Sequence, residues 1–409
     1  MKENTTKKGA KRDLFLTMLE STLGAGLLCM AIMTPFFNSI GLSQEEIALT
    51  QVIFTVVVSV LNIPAGWIAD RFSRKWANII GDIGTFFVFL AYANVHSIVG
   101  AIICESLLGV LMAFSQGVDI SLLRHFCYKI VTRKSETVRK SEEAEKFFKK
   151  KTARLAFWQY VCTLILLTLG GPIGAIDYRL AIALSGVPSL IGGIVSIFIH
   201  DDSEKLQTNE KPIKDMVRVV KDSVVKNTEL RRRICVYAIG RELTHGIIWV
   251  ATPIFLLAGV PLPIVSLAWA INSVTCIIGS LLASRYANRL NDRWIFAVPL
   301  TLCFISMGVL SISINIFTGG IYFLMGIVQG WTNATLMPMV QRYATPAEQT
   351  SVVSIAKVAS QLLYIPIVML IGWAADINLL LAPAMTLAIF MPLGIIFLTK
   401  LKNEHKTMP

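Results

Sequence analysis

The chain has 409 residues, of which 54% are hydrophobic and 16% are charged, and its formal net charge is +12. Because soluble domains carry about 25% charged residues, this composition excludes a soluble enzyme or a soluble binding module. Apolar runs recur along the whole chain, and twelve of them reach the roughly 20 residues that a helix needs to cross a bilayer. The sequence therefore predicts an all-α membrane protein without a separate soluble domain.

The predicted spans follow one another with short polar links, and one long charged link divides six spans from six. The spans are 14–40, 47–69, 76–95, 98–123, 154–175, 180–200, 232–258, 262–284, 294–315, 318–341, 351–375 and 380–400. We therefore expect an amino-terminal six-helix bundle over 1–200, a cytoplasmic linker over 201–231 and a carboxy-terminal six-helix bundle over 232–409.

The positive charge is concentrated on one predicted face of the membrane. If the amino terminus is cytoplasmic, the even-numbered links and both termini hold nearly all of the 38 Lys and Arg residues. Arg179 is then the sole basic residue placed on the opposite face. This positive-inside asymmetry places both termini in the cytoplasm. Topology thus accounts for the net charge, and no nucleic-acid partner is expected.

A charged turn, Pro64–Trp76, separates spans 2 and 3. It contains the pattern Gly66-x-x-x-Asp70-Arg71-x-Ser73-Arg74-Lys75. This resembles the loop between helices 2 and 3 of major facilitator superfamily transporters, G-x-x-x-D-R-x-G-R-[KR], with Ser73 in place of the second glycine. The resemblance implies twelve transmembrane helices in two pseudo-symmetric six-helix bundles, and transport by alternating access.

In that family the turn acts as a latch between the two bundles. Gly66 lacks a side chain, so span 2 can lie close to span 11, and Asp70 can face the amino-terminal end of span 11, where the helix dipole favours a carboxylate. The alternative is that the basic residues only enforce topology. The residues assigned to gating, some of them only by their depth near the cytoplasm, are Gly66, Asp70, Arg71, Arg74, Asp82, Asp119 and Arg124.

Span 4 carries Glu105 close to the bilayer midplane, where a charge costs several kcal/mol. In exporters of the superfamily the corresponding segment is R-x-x-Q-G, with an arginine tied to proton exchange, whereas here it reads Glu105-Ser106-Leu107-Leu108-Gly109. We expect Arg241 in span 7 to supply the missing cation. Desolvation favours the neutral form of a midplane carboxyl group, which suits proton exchange. The alternative is that Glu105 only neutralises Arg241 in a buried ion pair.

Span 5 contains a second family-like motif. Its residues Gly170, Gly171, Pro172 and Gly174 resemble the antiporter motif G-P-x-x-G-G, with Ala175 for the last glycine. Glycines four residues apart permit close helix approach, and a proline removes a backbone donor. The resemblance implies antiport, and ordinary small-residue packing is the alternative.

An internal repeat supports the division into two halves. Residues 283–289, ASRYANR, lie between spans 8 and 9 and correspond to residues 69–75, ADRFSRK, between spans 2 and 3. Ser284 replaces the carboxylate of Asp70, while basic and aromatic positions persist. Matching loops in two halves are typical of parallel-repeat transporters, whose binding site lies near the midplane.

Span 7 places Arg241 and Glu242 near the midplane, about 12–14 Å from its entry face. Glu105 and Glu242 are therefore assigned to coupling or substrate binding. In the superfamily, helices 1, 4, 7 and 10 line the central cavity, and directed polar and aromatic groups there suit an amphipathic substrate. The residues placed in that cavity are Glu20, Glu105, Arg241, Glu242, His245, Gln329, Trp331 and Asn333.

The sequence has no P-loop, H-E-x-x-H motif or metal-ligand cluster, so we expect neither an enzyme nor a cofactor or metal. The leading hypothesis is proton-coupled export of amphipathic small molecules by a monomer in the lipid bilayer of the cell membrane. One alternative is uptake of a nutrient by proton symport or facilitated diffusion. The others are a lipid or lysolipid translocase and a non-transporting membrane sensor.

Overall fold

The structure, a computed structural model, describes the backbone of residues 2–26, 28–71, 73–115, 118–131, 138–200, 227–343 and 349–401. It describes the side chains of residues 8–26, 28–61, 65, 73–115, 118–131, 143–200, 227–287, 289–343 and 352–401. Most of the predicted linker, and the side chains of Gly66, Asp70 and Arg71, lie outside these ranges.

The described residues are almost entirely helical and contain no β-strand. In chain order the helices are α1 (Lys2–Gly24), α2 (Met33–Ser39), α3 (Gln44–Arg71), α4 (Arg74–Tyr92), α5 (Ile98–Ser115), α6 (Val118–Val131), α7 (Val138–Ile176), α8 (Tyr178–Ser185), α9 (Val187–Ile197), α10 (Thr228–His245), α11 (Ala251–Leu257), α12 (Leu262–Tyr286), α13 (Asp292–Ile312), α14 (Ile316–Ile321), α15 (Phe323–Gln341), α16 (Gln349–Ile377) and α17 (Leu381–Lys400). The predicted all-α fold class is confirmed.

Eight of the described helical segments are long and apolar enough to cross a membrane. They correspond to predicted spans 2, 4, 5, 6, 8, 9, 11 and 12. The other four predicted spans are shorter or more polar for a physical reason. Spans 1, 7 and 10 are interrupted, and α4 in span 3 includes Arg74, Lys75 and Asp82. Together these segments form twelve membrane-crossing elements in two pseudo-symmetric sets of six.

Spans 1 and 7 are broken at corresponding places in the two halves. In span 1 the helix ends at Gly24 and resumes at Met33. In span 7 it ends at His245, passes through a short 3-10 turn at Ile248–Val250 and resumes at Ala251. Non-helical backbone at membrane depth is tolerated only where protein buries it or a cavity solvates it. Such matched breaks indicate the region of the binding site in repeat transporters.

Backbone contacts divide the chain into two compact units. The first comprises Met1–Met30 and Val57–Asn209, and the second comprises Ala31–Val56 and Glu210–Pro409. The hairpin Ala31–Val56 therefore packs with the carboxy-terminal elements, although it lies within the predicted amino-terminal bundle. The predicted domain division at 201–231 stays a prediction.

Glycines bring α12 and α15 into close contact within the second unit. A Cβ atom added to Gly330 on α15 would lie 1.8 Å from the carbonyl oxygen of Cys276, and one added to Gly279 on α12 would lie 2.2 Å from that of Ile327. Ser280 Oγ donates a hydrogen bond to the Gly330 carbonyl oxygen at 3.0 Å. Small residues allow this backbone approach, which is a main source of helix association in membranes.

A buried ion-pair network joins the ends of α10, α13 and α15. Arg233 is fully buried, and it donates from Nε to Asp292 Oδ2 at 2.9 Å and from Nη2 to the Tyr343 hydroxyl at 2.7 Å. Arg342 Nη2 donates to Asp292 Oδ1 at 2.9 Å, and Glu229 accepts from Arg233 Nη1 at 2.5 Å. Because a buried charge without its partner is costly, the loss of either carboxylate would destabilise this end of the unit.

Candidate functional site

Two carboxyl groups meet inside the first unit. Glu20 on α1 and Asp82 on α4 are 4% and 8% exposed, and their side chains lie beside the same residue, Gly192 on α9. Gly192 on α9 makes room for the pair, because a Cβ atom there would lie 3.3 Å from Asp82 Oδ2 and 3.8 Å from Glu20 Cγ. Two neighbouring negative charges are unfavourable in a buried site, so this arrangement favours a state in which at least one of the two groups carries a proton.

One oxygen atom of each group, Glu20 Oε2 and Asp82 Oδ2, receives no hydrogen bond from the described residues. Asp119 on α6 is held differently, because Ser21 Oγ donates to its Oδ2 at 2.6 Å and Gln159 Nε2 donates to Ser21 Oγ at 3.2 Å. The structure thus brings together Glu20, assigned to the cavity, and Asp82, assigned to gating. Both role assignments stay predictions.

Glu105 lies on α5 and is 5% exposed. The hydroxyl group of Tyr92 on α4 donates a hydrogen bond to Glu105 Oε1 at 3.0 Å. This neutral donor stabilises the carboxyl group within the first unit. Arg241 belongs to the second unit, so the predicted pairing of Glu105 with Arg241 stays a prediction.

Glu242 on α10 is the most deeply buried of the residues predicted to line the cavity, with 1% exposure. Its Oε1 accepts a hydrogen bond from the Ser360 hydroxyl group on α16, while its Oε2 receives none from the described residues. Arg241 Nε lies 3.9 Å from Oε1, at the outer limit of an ion pair. The contact with Ser360 therefore fixes the carboxyl group, and Arg241 contributes only a weak attraction.

The side chain of Arg241 is only partly buried. Its side chain is 40% exposed, and its Nη1 lies 3.4 Å from the hydroxyl oxygen of Tyr237. Lys357 on α16 is exposed and precedes Ser360 by three residues, and Ser360 bonds Glu242, the residue next to Arg241. The second unit therefore presents two neighbouring cations on adjacent helices.

The remaining predicted cavity residues have mixed environments. His245 and Gln329 are half-buried, and Asn333 is exposed. Trp331 is buried, and its indole N–H donates to the carbonyl oxygen of Ile295 at 2.9 Å. The polar atom of Trp331 thus anchors α15 to α13.

The described part of the predicted gate is held by local contacts. Ser73 caps α4 by accepting a hydrogen bond from the Trp76 backbone N–H at 3.3 Å. A serine at the position of the family's second glycine is therefore a favourable N-cap. Arg124 Nη2 lies 3.4 Å from Glu145 Oε2, which also accepts from the Tyr128 hydroxyl at 2.6 Å.

Three residues of the predicted latch, Gly66, Asp70 and Arg71, lie outside the residues whose side chains the structure describes. Arg74 is described as the first residue of α4. The latch between spans 2 and 11 therefore stays a prediction.

The antiporter-like motif lies in the last part of α7. A Cβ atom added to Gly170 would lie 2.0 Å from the carbonyl oxygen of Leu28, so α7 approaches the chain just after the break in span 1. Gly171 and Gly174 are buried, and Pro172 lies inside the helix. The glycine of the motif thus allows a close approach to this part of the chain, and antiport stays a prediction.

A seam between α3 and α16 lies at the ends of predicted spans 2 and 11, within the second unit. Asp376 accepts hydrogen bonds from the backbone N–H groups of Gln44 at 2.7 Å and Glu45 at 2.8 Å, the first residues of α3. A Cβ atom added to Gly372 would lie 2.8 Å from the Gln44 carbonyl oxygen and 2.9 Å from Ala48 Cβ. A carboxylate at a helix amino terminus is favoured by the helix dipole.

Three residues that take part in these contacts were not predicted from the sequence. Lys357 is an ionisable residue inside an apolar span, so the rule that such residues mark functional sites could have found it. Ser360 and Asp376 have no sequence signal, because only their distant partners give them a role. Within the described ranges, no group of three or more His, Cys, Asp and Glu residues could hold a metal ion.

Comparisons with known proteins agree with this architecture. The sequence pattern of the Major Facilitator Superfamily matches residues 14–368. No curated protein matches the chain. Among solved structures, the nucleoside transporter NupG is similar with a TM-score of 0.75 and 13% identity, covering 96% of this chain and 99% of that one.

Two further solved structures share the fold at low identity. A D-xylose–proton symporter has a TM-score of 0.72 and 11% identity, covering 98% of this chain and 100% of that one. A bacterial homologue of the human lysosomal transporter Spinster has a TM-score of 0.64 and 12% identity, covering 97% of this chain and 95% of that one.

Proposed function

Because the chain belongs to the major facilitator superfamily, and is therefore a membrane transporter rather than an enzyme, we propose that it exports amphipathic small molecules in exchange for protons. The transport cycle is one of alternating access, in which the binding site opens to each side of the membrane in turn. The protein acts as a monomer in the cell membrane, with both termini in the cytoplasm.

The observation that carries this proposal is the buried, neighbouring pair of carboxyl groups of Glu20 and Asp82. Within the described residues, neither group makes an ion pair, and each leaves one oxygen atom without a donor. A buried carboxyl pair that lacks a cation is stable only with a bound proton. Loss of that proton creates an unpaired buried charge, so a change in solvent access would drive proton uptake or release.

Glu105 and Glu242 supply two further candidate proton sites. Each is at most 5% exposed and receives a hydrogen bond from a neutral hydroxyl group, of Tyr92 and Ser360 respectively. The partner of such a carboxyl group persists whether the group is charged or neutral, which suits reversible protonation. Glu242 lies four residues before Gly246, where span 7 breaks, so its protonation can bias a movable element.

The α3–α16 seam supports alternating access as the mode of transport. In the predicted topology it lies on the outer face, and Asp70 lies at the opposite end of the same helix α3. The seam must part when the outer side opens, while the latch at Asp70 must part when the cytoplasmic side opens. One helix would then carry a carboxylate contact at each end, and the two would alternate.

The direction of transport rests on the motif in α7. The approach of Gly170 to the Leu28 carbonyl supports a sealed contact next to the break in span 1. Uptake by proton symport is the second candidate, because one structure with this fold is that of a D-xylose–proton symporter. A lipid or lysolipid translocase is a third, and it requires no proton coupling.

The experiment that separates these candidates uses purified protein in liposomes with an imposed ΔpH. Export predicts that at least one amphipathic compound, from a set that includes a lipophilic cation and organic anions, dissipates the ΔpH, and that Glu20→Gln, Asp82→Asn, Glu105→Gln and Glu242→Gln each abolish this response. Asp177→Asn is the matched control, because Asp177 caps α8 through its side-chain oxygen and an asparagine keeps that cap.

A full response in all four variants would refute the proton sites. Symport predicts instead that a sugar or nucleoside accumulates inside the liposomes under an inward proton gradient. Movement of a lysolipid without any change in the ΔpH would favour the translocase.

A further inference from the structure

Arg241 and Lys357 form a pair of cations that the proposed proton coupling does not use. Arg241 lies 13 residues into α10, and Lys357 lies eight residues into α16, which is about 12 Å along that helix. A charge at such a depth is expensive unless it has a partner, a wet cavity or a function. Two like charges side by side raise that cost further.

The described residues do not neutralise this pair. Glu242 is the nearby carboxylate, but it is buried, bonded to Ser360 and separated from Arg241 Nε by 3.9 Å. The hydroxyl oxygen of Tyr237, at 3.4 Å, is a weak neutral acceptor for Arg241. Two cations therefore face one distant carboxyl group, and the balance of this site is positive.

The hydrogen bond between Glu242 and Ser360 sets the register of the two helices. Arg241 directly precedes Glu242 on α10, and Lys357 stands one turn before Ser360 on α16, so both cations lie beside the same contact. The exposed end of each cation is thus free to turn toward a shared ligand.

We propose that Arg241 and Lys357 bind an anionic group, a carboxylate or a phosphate, on the transported molecule. This rests on the proposed transport function and narrows the substrate to organic anions or zwitterions. The planar guanidinium group of Arg241 can bind two oxygen atoms of such a group at once, and the ammonium group of Lys357 adds a point charge. Tyr237, 6% exposed and bonded to Arg241, orients the guanidinium group.

The test uses full-length protein in detergent and four compounds that share one ring. They are 1-naphthylacetate, 1-naphthyl phosphate, 1-naphthylacetamide and 1-naphthylmethyl-trimethylammonium, and calorimetry measures the affinity of each. We expect at least one anion to bind about tenfold or more tightly than the amide and the cation. The preferred anion shows whether the site takes a carboxylate or a phosphate.

Two variants test the residues themselves. Arg241→Gln and Lys357→Gln should each weaken anion binding about tenfold and leave amide binding unchanged. The control is Arg285→Gln, which removes an exposed positive charge from the last turn of α12 in the same unit. If Arg241→Gln does not fold, Lys357→Gln and Arg241→Lys decide, because Lys357 is exposed and Arg241→Lys keeps the charge.

Equal affinity for the amide and the anions would overturn the proposal, as would the absence of anion binding. Unchanged anion affinity in Arg241→Gln or in Lys357→Gln would also overturn the proposal. For Lys357, that result would mean that the ammonium group extends to the membrane surface and has no role in binding. A ΔpH measurement on the same protein keeps the two proposals apart. If only the cation and the amide dissipate the ΔpH, the anion site is refuted and the proposal of export stands. If an anion binds but no compound changes the ΔpH, the proposal of export alone is refuted.

Discussion

Substituting Gly372 by alanine tests the α3–α16 seam and, through it, alternating access. Gly372 lies against the first turn of α3, where an added Cβ atom would stand 2.8 Å from the Gln44 carbonyl oxygen and 2.9 Å from Ala48 Cβ. Ala48 packs in the same place against Tyr364 and Val368. The new methyl group therefore acts as a wedge while the seam is closed, and it meets nothing once the seam has parted.

The size of the effect follows from these distances. An ordinary contact of a Cβ atom lies at 3.4–4 Å, so α3 must retreat by more than half an ångström. Overpacking of this kind costs about 1–3 kcal/mol. The gain of up to about 1 kcal/mol from replacing glycine in a helix applies to both conformations and cancels. We expect the equilibrium to shift toward the open seam by about 5- to 150-fold.

The assay is the labelling rate of a cysteine at position 48 with a membrane-impermeant maleimide. Ala48 is 2% exposed, so Ala48→Cys should react slowly in the parent and much faster when Gly372→Ala is added. Gly320→Ala is the matched control, because a Cβ atom there has no neighbour within 4 Å. An unchanged rate in a folded Gly372→Ala protein would refute the reasoning that this seam parts during transport.

Three further predictions concern stability, each measured as the unfolding midpoint in detergent. Gly330→Ala should destabilise the protein by about 1–3 kcal/mol, because the added methyl group clashes with α12. The control Gly308→Ala has no neighbour within 4 Å of the added Cβ atom and should be neutral or stabilising. Equal unfolding midpoints for the two variants would contradict the close packing of α12 and α15. Asp292→Asn should cost about 3 kcal/mol because it leaves the buried Arg233 short of a charge, and a neutral result would show that the network is dispensable. Ser73→Ala should cost about 1 kcal/mol by removing the cap of α4, and Ser73→Asp should restore it.

Several features of this protein could be predicted from the sequence because they depend on local composition. The membrane class and the twelve spans follow from hydropathy, which each segment carries by itself. The family follows from the turn at Gly66–Lys75, where glycine, acidic and basic positions stand at fixed spacing. The internal repeat at residues 283–289 likewise follows from a comparison of two short segments. The buried state of Glu20, Glu105 and Glu242 followed from their depth within apolar runs.

Only the tertiary structure decided which of these buried groups meet. Glu242 accepts a hydrogen bond from Ser360, 118 positions away, and Asp376 accepts one from Gln44 at the start of α3, 332 positions away. The pair of Glu20 and Asp82 likewise joins two spans whose separate patterns show no link. Periodicity tells which face of a helix is buried, but it carries no information on which other helix covers that face. The partners of charged groups, and with them the proposed proton and anion sites, therefore depend on how the helices pack.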